Sequence, residues 1–449
     1  MGSSCLFIGH ESKKYCQPSE KTLKMHAMKS KNMHSSQIHS DPSFSNPVSS
    51  QLRSLTQALN FGILGGGQLS QMLCLKAHEL GLKTWVLSES SEDPAANVCN
   101  HHVVGNPHNP EALQSFFEKV DLITLESEFY DGKMLEQFAQ KFKKNIFPPP
   151  AAMSLLQDRK TQKDLFIKLQ IPTAEMIAFS QSDLSQGPSL FLETILQTWP
   201  QGMVLKKRVG GYDGYGTFFI RQQTDIANFL NKATENTPLK NTQDKLALSV
   251  FLEQNFIIEK LIPFQKELAV MIGRDQYGHF IHYPLVETRQ ERGRCDWVLG
   301  PTHHSRFESM LESLKLFLNE LHYVGVMGVE FFDTGLELLV NEIAPRVHNS
   351  GHYTQDSFLI DQFKMHLQCV IGDQVPQPQL VVKHFAMVNL IGQSSEPVTL
   401  EGNLEGSLHW YCKQQNRKDR KMGHINFTSD HSPDLLLEKA LNERKKVRL

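Results

Sequence analysis

Four short apolar runs, each followed by a segment of helical or turn character, set the architecture of the first third of the chain. They are Asn60–Leu64, Lys83–Leu87, His101–Val104 and Asp121–Leu125. After the first, Leu69, Met72, Leu73, Leu75, Ala77 and Leu80 fall at helical spacing and Gly81 ends the run. Residues 110–117 and 134–142 carry further helical patterns. Strands alternating with helices predict a parallel sheet covered on both faces.

The 449 residues are too many for one ordinary core and predict two or three domains. Pro148-Pro149-Pro150 breaks the alternation and marks a boundary. Helices are expected through Leu156, over 161–169, over 307–321 and from Ser357 to Val370. Strands are expected over 202–206, 217–220, 256–259, 267–272 and 279–285. Residues 328–332 and 336–342 form a hairpin around Asp333-Thr334-Gly335. The texture is α+β, and short strands and turns follow Pro376. There is no internal repeat. The domains expected are 58–150, 151–373 with a subdomain at about 172–262, and a small β-rich 374–449.

Residues 1–57 read as a disordered extension, rich in Ser, Lys and His with no sustained period. They lack the apolar run of a secretory signal. Two readings stand: organelle targeting, or an extension foreign to the mature chain, with Met25, Met28 and Met33 as internal starts. Apolar stretches such as Leu336–Val340 are too short to span a bilayer. A net charge of −2 gives no global basic field for nucleic acid. The seven scattered cysteines show no CxxC spacing, which argues against a zinc site and for free thiols.

Four places carry chemistry. The turn Gly65-Gly66-Gly67, between a strand and a helix, can present backbone N–H groups to a phosphate. Gly65-x-Gly67-x-x-Ser70, with Glu89 a strand later, also resembles a dinucleotide fingerprint with Ser in the third glycine place, which leaves a dehydrogenase open. Lys206-Lys207-Arg208 runs into a loop with Gly210, Gly211, Gly214 and Gly216, a combination suited to polyphosphate. Glu330 and Glu342 sit on the two arms of the hairpin and can share magnesium if they face one side. Residues 341–352 crowd Asn341, Glu342, Arg346, His348, Asn349 and His352 into one short segment, the pattern of an active-site edge.

These segments, with Gln157–Lys163 and Arg420–His424, make the chain similar to the ATP-grasp superfamily. Within it the chain resembles the N5-carboxyaminoimidazole ribonucleotide synthetases, from about Asn60 to Phe427. The resemblance implies a pre-ATP-grasp α/β domain, an ATP-grasp domain and a small C-terminal domain. It implies ATP, magnesium or manganese, bicarbonate and an aminoimidazole ribonucleotide, in a cytoplasmic homodimer. Arg159 and Lys206 then meet ATP phosphates, and Gly211, Tyr212, Asp213, Gly214 and Gly216 form the lid. Glu259, Lys260 and Ile262 form the adenine hinge, Glu267 contacts the nucleotide, and Asn341 lies beside the metal ligands Glu330 and Glu342. Arg346, His348 and Lys413 surround bicarbonate and the aminoimidazole, with Tyr212 and Asp213 also catalytic. Gly66, Gly67, Gln68, Asn349 and Lys421 bind the nucleotide substrate.

Two positions depart from the family pattern. Tyr215 stands where the lid usually carries Arg or Lys, and Cys412 stands where a glycine precedes the lysine. Tyr215 leaves room for another ATP-grasp ligase that activates formate or an amino acid. A regulator that kept the fold without turnover is disfavoured by the joint presence of Lys206, Glu330, Glu342 and Arg346.

Overall fold

The computed structural model describes residues 59–180, 187–211, 214–234 and 245–449. The expected extension over 1–57, and Tyr212 and Asp213 of the lid, lie outside the described residues. The alternating pattern builds β1 (Asn60–Leu64), α1 (Gln68–Glu79), β2 (Lys83–Ser88), β3 (His101–Val104), α2 (Pro110–Phe117), β4 (Leu122–Leu125), α3 (Gly132–Phe142) and β5 (Asn145–Ile146). The sheet is parallel in the order β3-β2-β1-β4-β5. Its order reverses at β1, so β1 and β4 carry their C-terminal loops to one crevice.

Helices α4 (Pro150–Leu156) and α5 (Arg159–Lys168) follow. A four-stranded subdomain then forms from β6 (Met176–Ala178), α6 (Pro188–Thr198), β7 (Met203–Lys207), β8 (Thr217–Ile220), α7 (Gln223–Thr234), α8 (Lys245–Asn255) and β9 (Phe256–Lys260). Its core is apolar and aromatic: Phe229 and Phe256 meet edge to face at 5.2 Å.

Nine of the remaining strands join one sheet. They are β10 (Lys266–Arg274), β11 (Phe280–His282), β12 (Val286–Glu291), β13 (Arg294–Gly300), β14 (Gly325–Asp333), β15 (Leu338–Ala344), β16 (His384–Ile391), β18 (Ser407–Trp410) and β19 (Lys421–Ser429). Between and after them lie α9 (Phe307–Glu320), α10 (Thr354–Ser357), α11 (Gln362–Ile371), β17 (Thr399–Leu400), α12 (Pro433–Arg444) and β20 (Val447–Arg448). Of the strands after Pro376, β16, β18 and β19 continue this sheet through the β13–β16 pairing, while β17 and β20 pair as a separate two-stranded sheet. The helix expected from Ser357 begins at Gln362, because the Asp361 carboxylate accepts from the amides of Phe363 and Lys364. Among the described residues no helix is long and apolar enough to cross a membrane.

One buried histidine ties the parallel sheet to the large one. His366 Nδ1 accepts from the Val326 amide (3.1 Å), so its other nitrogen, 2.7 Å from Thr124 Oγ1, carries the proton. Burial pushes its pKa down to about 4. The unfolded chain therefore binds a proton that the folded chain refuses once pH falls below about 6.5. This costs about 3 kcal/mol of stability by pH 4, with no cost above pH 7. Denaturant melts of His366→Gln should lose correspondingly less stability than wild type between pH 7 and pH 4.5. Equal losses would show that another group sets the acid limb.

Candidate active site

A cavity of about 1390 Å³ opens between the parallel sheet, the four-stranded subdomain and the large sheet. Of the described residues to which the family resemblance gives a role, all line it except Gly66 and Gly216; Gly65, Glu89, Lys207, Arg208 and Gly210 also lie outside its lining. Gly66 sits beneath Ser88 and Asp93, and Gly216 lies against the Lys207 side chain.

The carboxylate pair is set by strand register. Glu330 of β14 lies directly opposite Glu342 of β15, and directly paired residues share a face. The register shifts between Glu330 and Phe331, whose partners are Glu342 and Val340. Asn341 is therefore the extra residue of a β-bulge, and it joins Glu342 on the cavity wall instead of alternating away. Glu342 accepts from Arg159 Nη2 at 2.9 Å. Burial alone would raise the Glu342 pKa, but Arg159 and then Lys206 hold it below the usual carboxylate range.

The cations around the pair are themselves anchored. Arg159, at the first turn of α5, donates to the carbonyls of Lys207 (3.1 Å) and Gly211 (3.3 Å). A Cβ on Gly211 would lie 2.4 Å from Arg159 Nη1, so only glycine admits this approach. Lys206 Nζ lies 2.9 Å from Glu259 Oε2 and 2.9 Å from Asn341 Oδ1. Lys163, only 2% exposed, reaches the other Glu259 oxygen at 3.3 Å. Burial pushes Glu259 up, but the two lysines outweigh it and bring its pKa to about 2. Its side chain is thus committed to lysines. The amides of Lys260 and Leu261 donate to the carbonyls of Glu175 and Gly202.

At the glycine turn, the amides of Gly67 and Ser70 donate to the two oxygens of Glu126, at 2.8 and 3.1 Å. The N-terminus of α1 thus already holds a carboxyl group from the chain itself, whose pKa burial pushes up against the pull of the two amides. Gly65 takes φ +105°, and a Cβ there would meet Glu126 Cγ at 2.4 Å. Glu128, two residues on, receives Arg346 Nε at 2.7 Å.

The segment after β15 faces the cavity but spends much of its polarity internally. His348 Nδ1 lies 2.9 Å from Ser350 Oγ, and its Nε2 is 3.9 Å from Glu330 Oε1. Burial, then Arg346 and Lys421, press the His348 pKa well below its usual value. Asn349 exchanges two amide bonds with Asn389, at 3.0 and 2.7 Å. Lys413 Nζ donates to the Lys421 carbonyl at 2.7 Å. Lys413, Arg420 and Lys421 give one end of the cavity three cations.

Three family models match in sequence order. They are the ribonucleotide synthetase preATP-grasp domain over residues 59–157, the ATP-grasp domain over 164–363, and the phosphoribosylaminoimidazole carboxylase C-terminal domain over 386–437. The N5-carboxyaminoimidazole ribonucleotide synthase of Synechococcus elongatus is 32% identical, over 81% of this chain and 88% of its own length. This chain belongs to the N5-carboxyaminoimidazole ribonucleotide synthase family. The synthase of Saccharolobus solfataricus is 30% identical, over 82% of this chain and 91% of its own. The Staphylococcus aureus synthetase structure with ADP aligns at TM-score 0.72 and 26% identity, covering 86% of this chain and 97% of that one. The Aspergillus clavatus synthase, solved with ADP and 5-aminoimidazole ribonucleotide, aligns at TM-score 0.71 and 26% identity, over 86% and 99% of the two chains.

Within this synthase fold, sequence reasoning missed Lys163, Glu126, Glu128 and Gln362. Lys163 stood inside a segment that resembled the family, but its partner Glu259 is far off in sequence. Glu126 and Glu128 close the fourth strand of the alternating pattern, at its C-terminal end. Acidic residues at that position are the signal that was available.

Proposed function

We propose that this chain uses ATP and bicarbonate to carboxylate the exocyclic amine of 5-aminoimidazole ribonucleotide, a step of purine biosynthesis. The observation that carries this is the Glu330–Glu342 pair, facing one cavity with Arg159 and Lys206 and opening toward Arg346, His348 and Lys413. Glu330 and Glu342 would hold magnesium, with the Asn341 oxygen beside them. The donors are all oxygens, which suits a hard cation. Among the described residues no group of three His, Cys, Asp or Glu side chains could hold a metal alone, so the pair would hold it together with oxygens from the nucleotide or water. The metal supplies neutralisation of phosphate charge as the terminal group moves.

The chain's own groups divide the remaining work. Arg159 and Lys206 bind the phosphates. The hinge amides at Lys260 and Leu261 are spent, so adenine is read by the hinge carbonyls and the Ile262 amide, with Glu267 alongside. A bicarbonate oxygen attacks the γ-phosphorus, ADP leaves, and carboxyphosphate forms. The amine nitrogen then bonds to its carbon as phosphate departs, and the amine loses a proton. Arg346, oriented by Glu128, steadies the anionic carbon donor. Neutral His348 accepts the amine proton. The lid residues Gly211, Tyr212, Asp213, Gly214 and Gly216 shut out water, which would hydrolyse carboxyphosphate.

Because Glu126 occupies the helix N-terminus through the amides of Gly67 and Ser70, we place the substrate 5′-phosphate at Lys413, Arg420 and Lys421. Residues 58–150 then serve chiefly the ribonucleotide, 151–373 ATP, and 374–449 the phosphate end, in a cytoplasmic homodimer. ADP release should require both bicarbonate and aminoimidazole ribonucleotide for full rate. Release driven instead by formate or an amino acid would favour the other ligase reading.

Tyr215 is 60% exposed, with Lys207 Nζ 4.9 Å from its ring centre. Replacing it with Arg sacrifices at most about 1 kcal/mol of exposed cation–π attraction and restores a lid charge. Tyr215→Arg should match wild-type turnover or exceed it by a few fold. A large loss in steady-state assays would give the tyrosine a role of its own.

A further inference from the structure

One buried polar group on the cavity wall remains unexplained by this chemistry. His352 has no exposed surface and stands in the wall of the cavity. Its Nε2 has no hydrogen-bond partner, an arrangement that leaves the cost of desolvation uncompensated.

The protonation of this ring is dictated by its neighbours. Gln362 Oε1 accepts from the His348 amide at 2.8 Å, and Gln362 Nε2 donates to the His348 carbonyl at 2.9 Å. Those two backbone contacts fix which end of the amide is nitrogen. The same nitrogen lies 2.9 Å from His352 Nδ1, so Nδ1 is an acceptor. The proton of the neutral ring therefore sits on Nε2. His352 is also clamped in orientation, stacked on His424 at 4.7 Å, while His424 itself is held by Tyr411 Oη at 2.8 Å. A ring fixed in this way is a donor only, since its one lone pair is already used. Burial, with Arg346 and Lys421 among the nearby charges, opposes a second proton.

We propose that His352 binds the aminoimidazole, its Nε2–H donating to the unprotonated ring nitrogen of that substrate. The inference rests on the carboxylase reading above. A neutral donor suits a neutral acceptor, and the anions of the reaction already have Arg159, Lys206 and Arg346. A flat heterocycle held by its ribosyl phosphate retains one freedom, rotation about the bond to the sugar. A single bond to its ring nitrogen removes that freedom and selects which way the exocyclic amine points.

The test compares His352→Phe, which keeps a stacked ring and lacks the donor, with His352→Gln, which restores an N–H near the same place. His352→Phe should raise the KM for aminoimidazole ribonucleotide about 10- to 100-fold, leaving the KM for ATP unchanged. His352→Gln should recover most of the loss. Imidazole nitrogen NMR of histidine-labelled wild type should show an Nε2–H tautomer whose signal moves on adding the ribonucleotide alone. That measurement holds even if the phenylalanine variant misfolds. An unchanged KM for the ribonucleotide, an equal rise for ATP or bicarbonate, or an unmoved signal would overturn the proposal. If wild type itself shows no ribonucleotide-dependent ADP release, the carboxylase reading has failed instead.

Discussion

Glu342→Gln should abolish ATP turnover, lowering ADP release by at least about 1,000-fold, in a protein that melts within a few degrees of wild type. The exchange is isosteric, and the glutamine oxygen can still accept from Arg159, so the wall of the cavity keeps its shape. What disappears is one of two facing negative charges. A divalent cation held there, as proposed, would lose several kcal/mol of electrostatic support when one carboxylate becomes neutral, and the γ-phosphoryl group would lose the charge neutralisation it supplies. Glu342 is ionised in the folded chain because Arg159 and Lys206 overcome its burial. The glutamine variant therefore also leaves an excess of cationic charge, which should keep nucleotide binding measurable. ATP binding followed by fluorescence or calorimetry, beside steady-state ADP release, separates the two effects. Near-normal turnover would sink the metal assignment. A collapsed melt would mean that the Arg159–Glu342 pair holds the fold together.

The residues behind that prediction were legible in the sequence only up to a point. A hairpin around Asp333–Gly335 places two glutamates on adjacent strands, but facing depends on register, and a one-residue slip turns a side chain to the opposite face. The bulge at Asn341 is invisible in the residue pattern, and it decides that Asn341 and Glu342 both reach the cavity. The strand–turn–helix at Gly65–Gly67 was readable from local pattern alone. Its occupant was not, because Glu126 arrives from the end of another strand, 59 positions further along the chain. Likewise the crowded segment 341–352 stood out by composition, while the commitment of Asn349 to Asn389 depends on a strand pairing formed much later in the chain. Local periodicity reports elements; it carries little about which distant group satisfies a given buried atom. Strands β12 and β13 were missed for a related reason. Their mixed polar pattern, Val286-Glu-Thr-Arg-Gln-Glu291, resembles a loop until the partner strands bury every other residue.

That dependence on distant partners makes Lys206 the second decisive position. Lys206→Met should reduce ADP release about 100-fold or more, raise the KM for ATP, and also lower the melting temperature. The activity term follows from losing a charge that, as proposed, would meet phosphate oxygens where negative charge accumulates. The stability term follows from Glu259, which is 2% exposed and shared between Lys206 and Lys163. Removing one partner from a buried ionic cluster strands part of the remaining charge. The pH dependence separates these effects. With its pKa brought to about 2, Glu259 contributes stability that is fully present above about pH 4.5 and lost as pH falls toward 2. The shift corresponds to about 3 kcal/mol in wild type. Lys206→Met should shrink that acid-sensitive contribution while leaving the His366 limb, at higher pH, untouched. The double variant Lys206→Met/Glu259→Gln should regain neither stability nor turnover, because it leaves the buried Lys163 without its carboxylate and the phosphate contact is still missing. Recovery of both together would show that Lys206 acts only by positioning Glu259, and that another cation meets the phosphates.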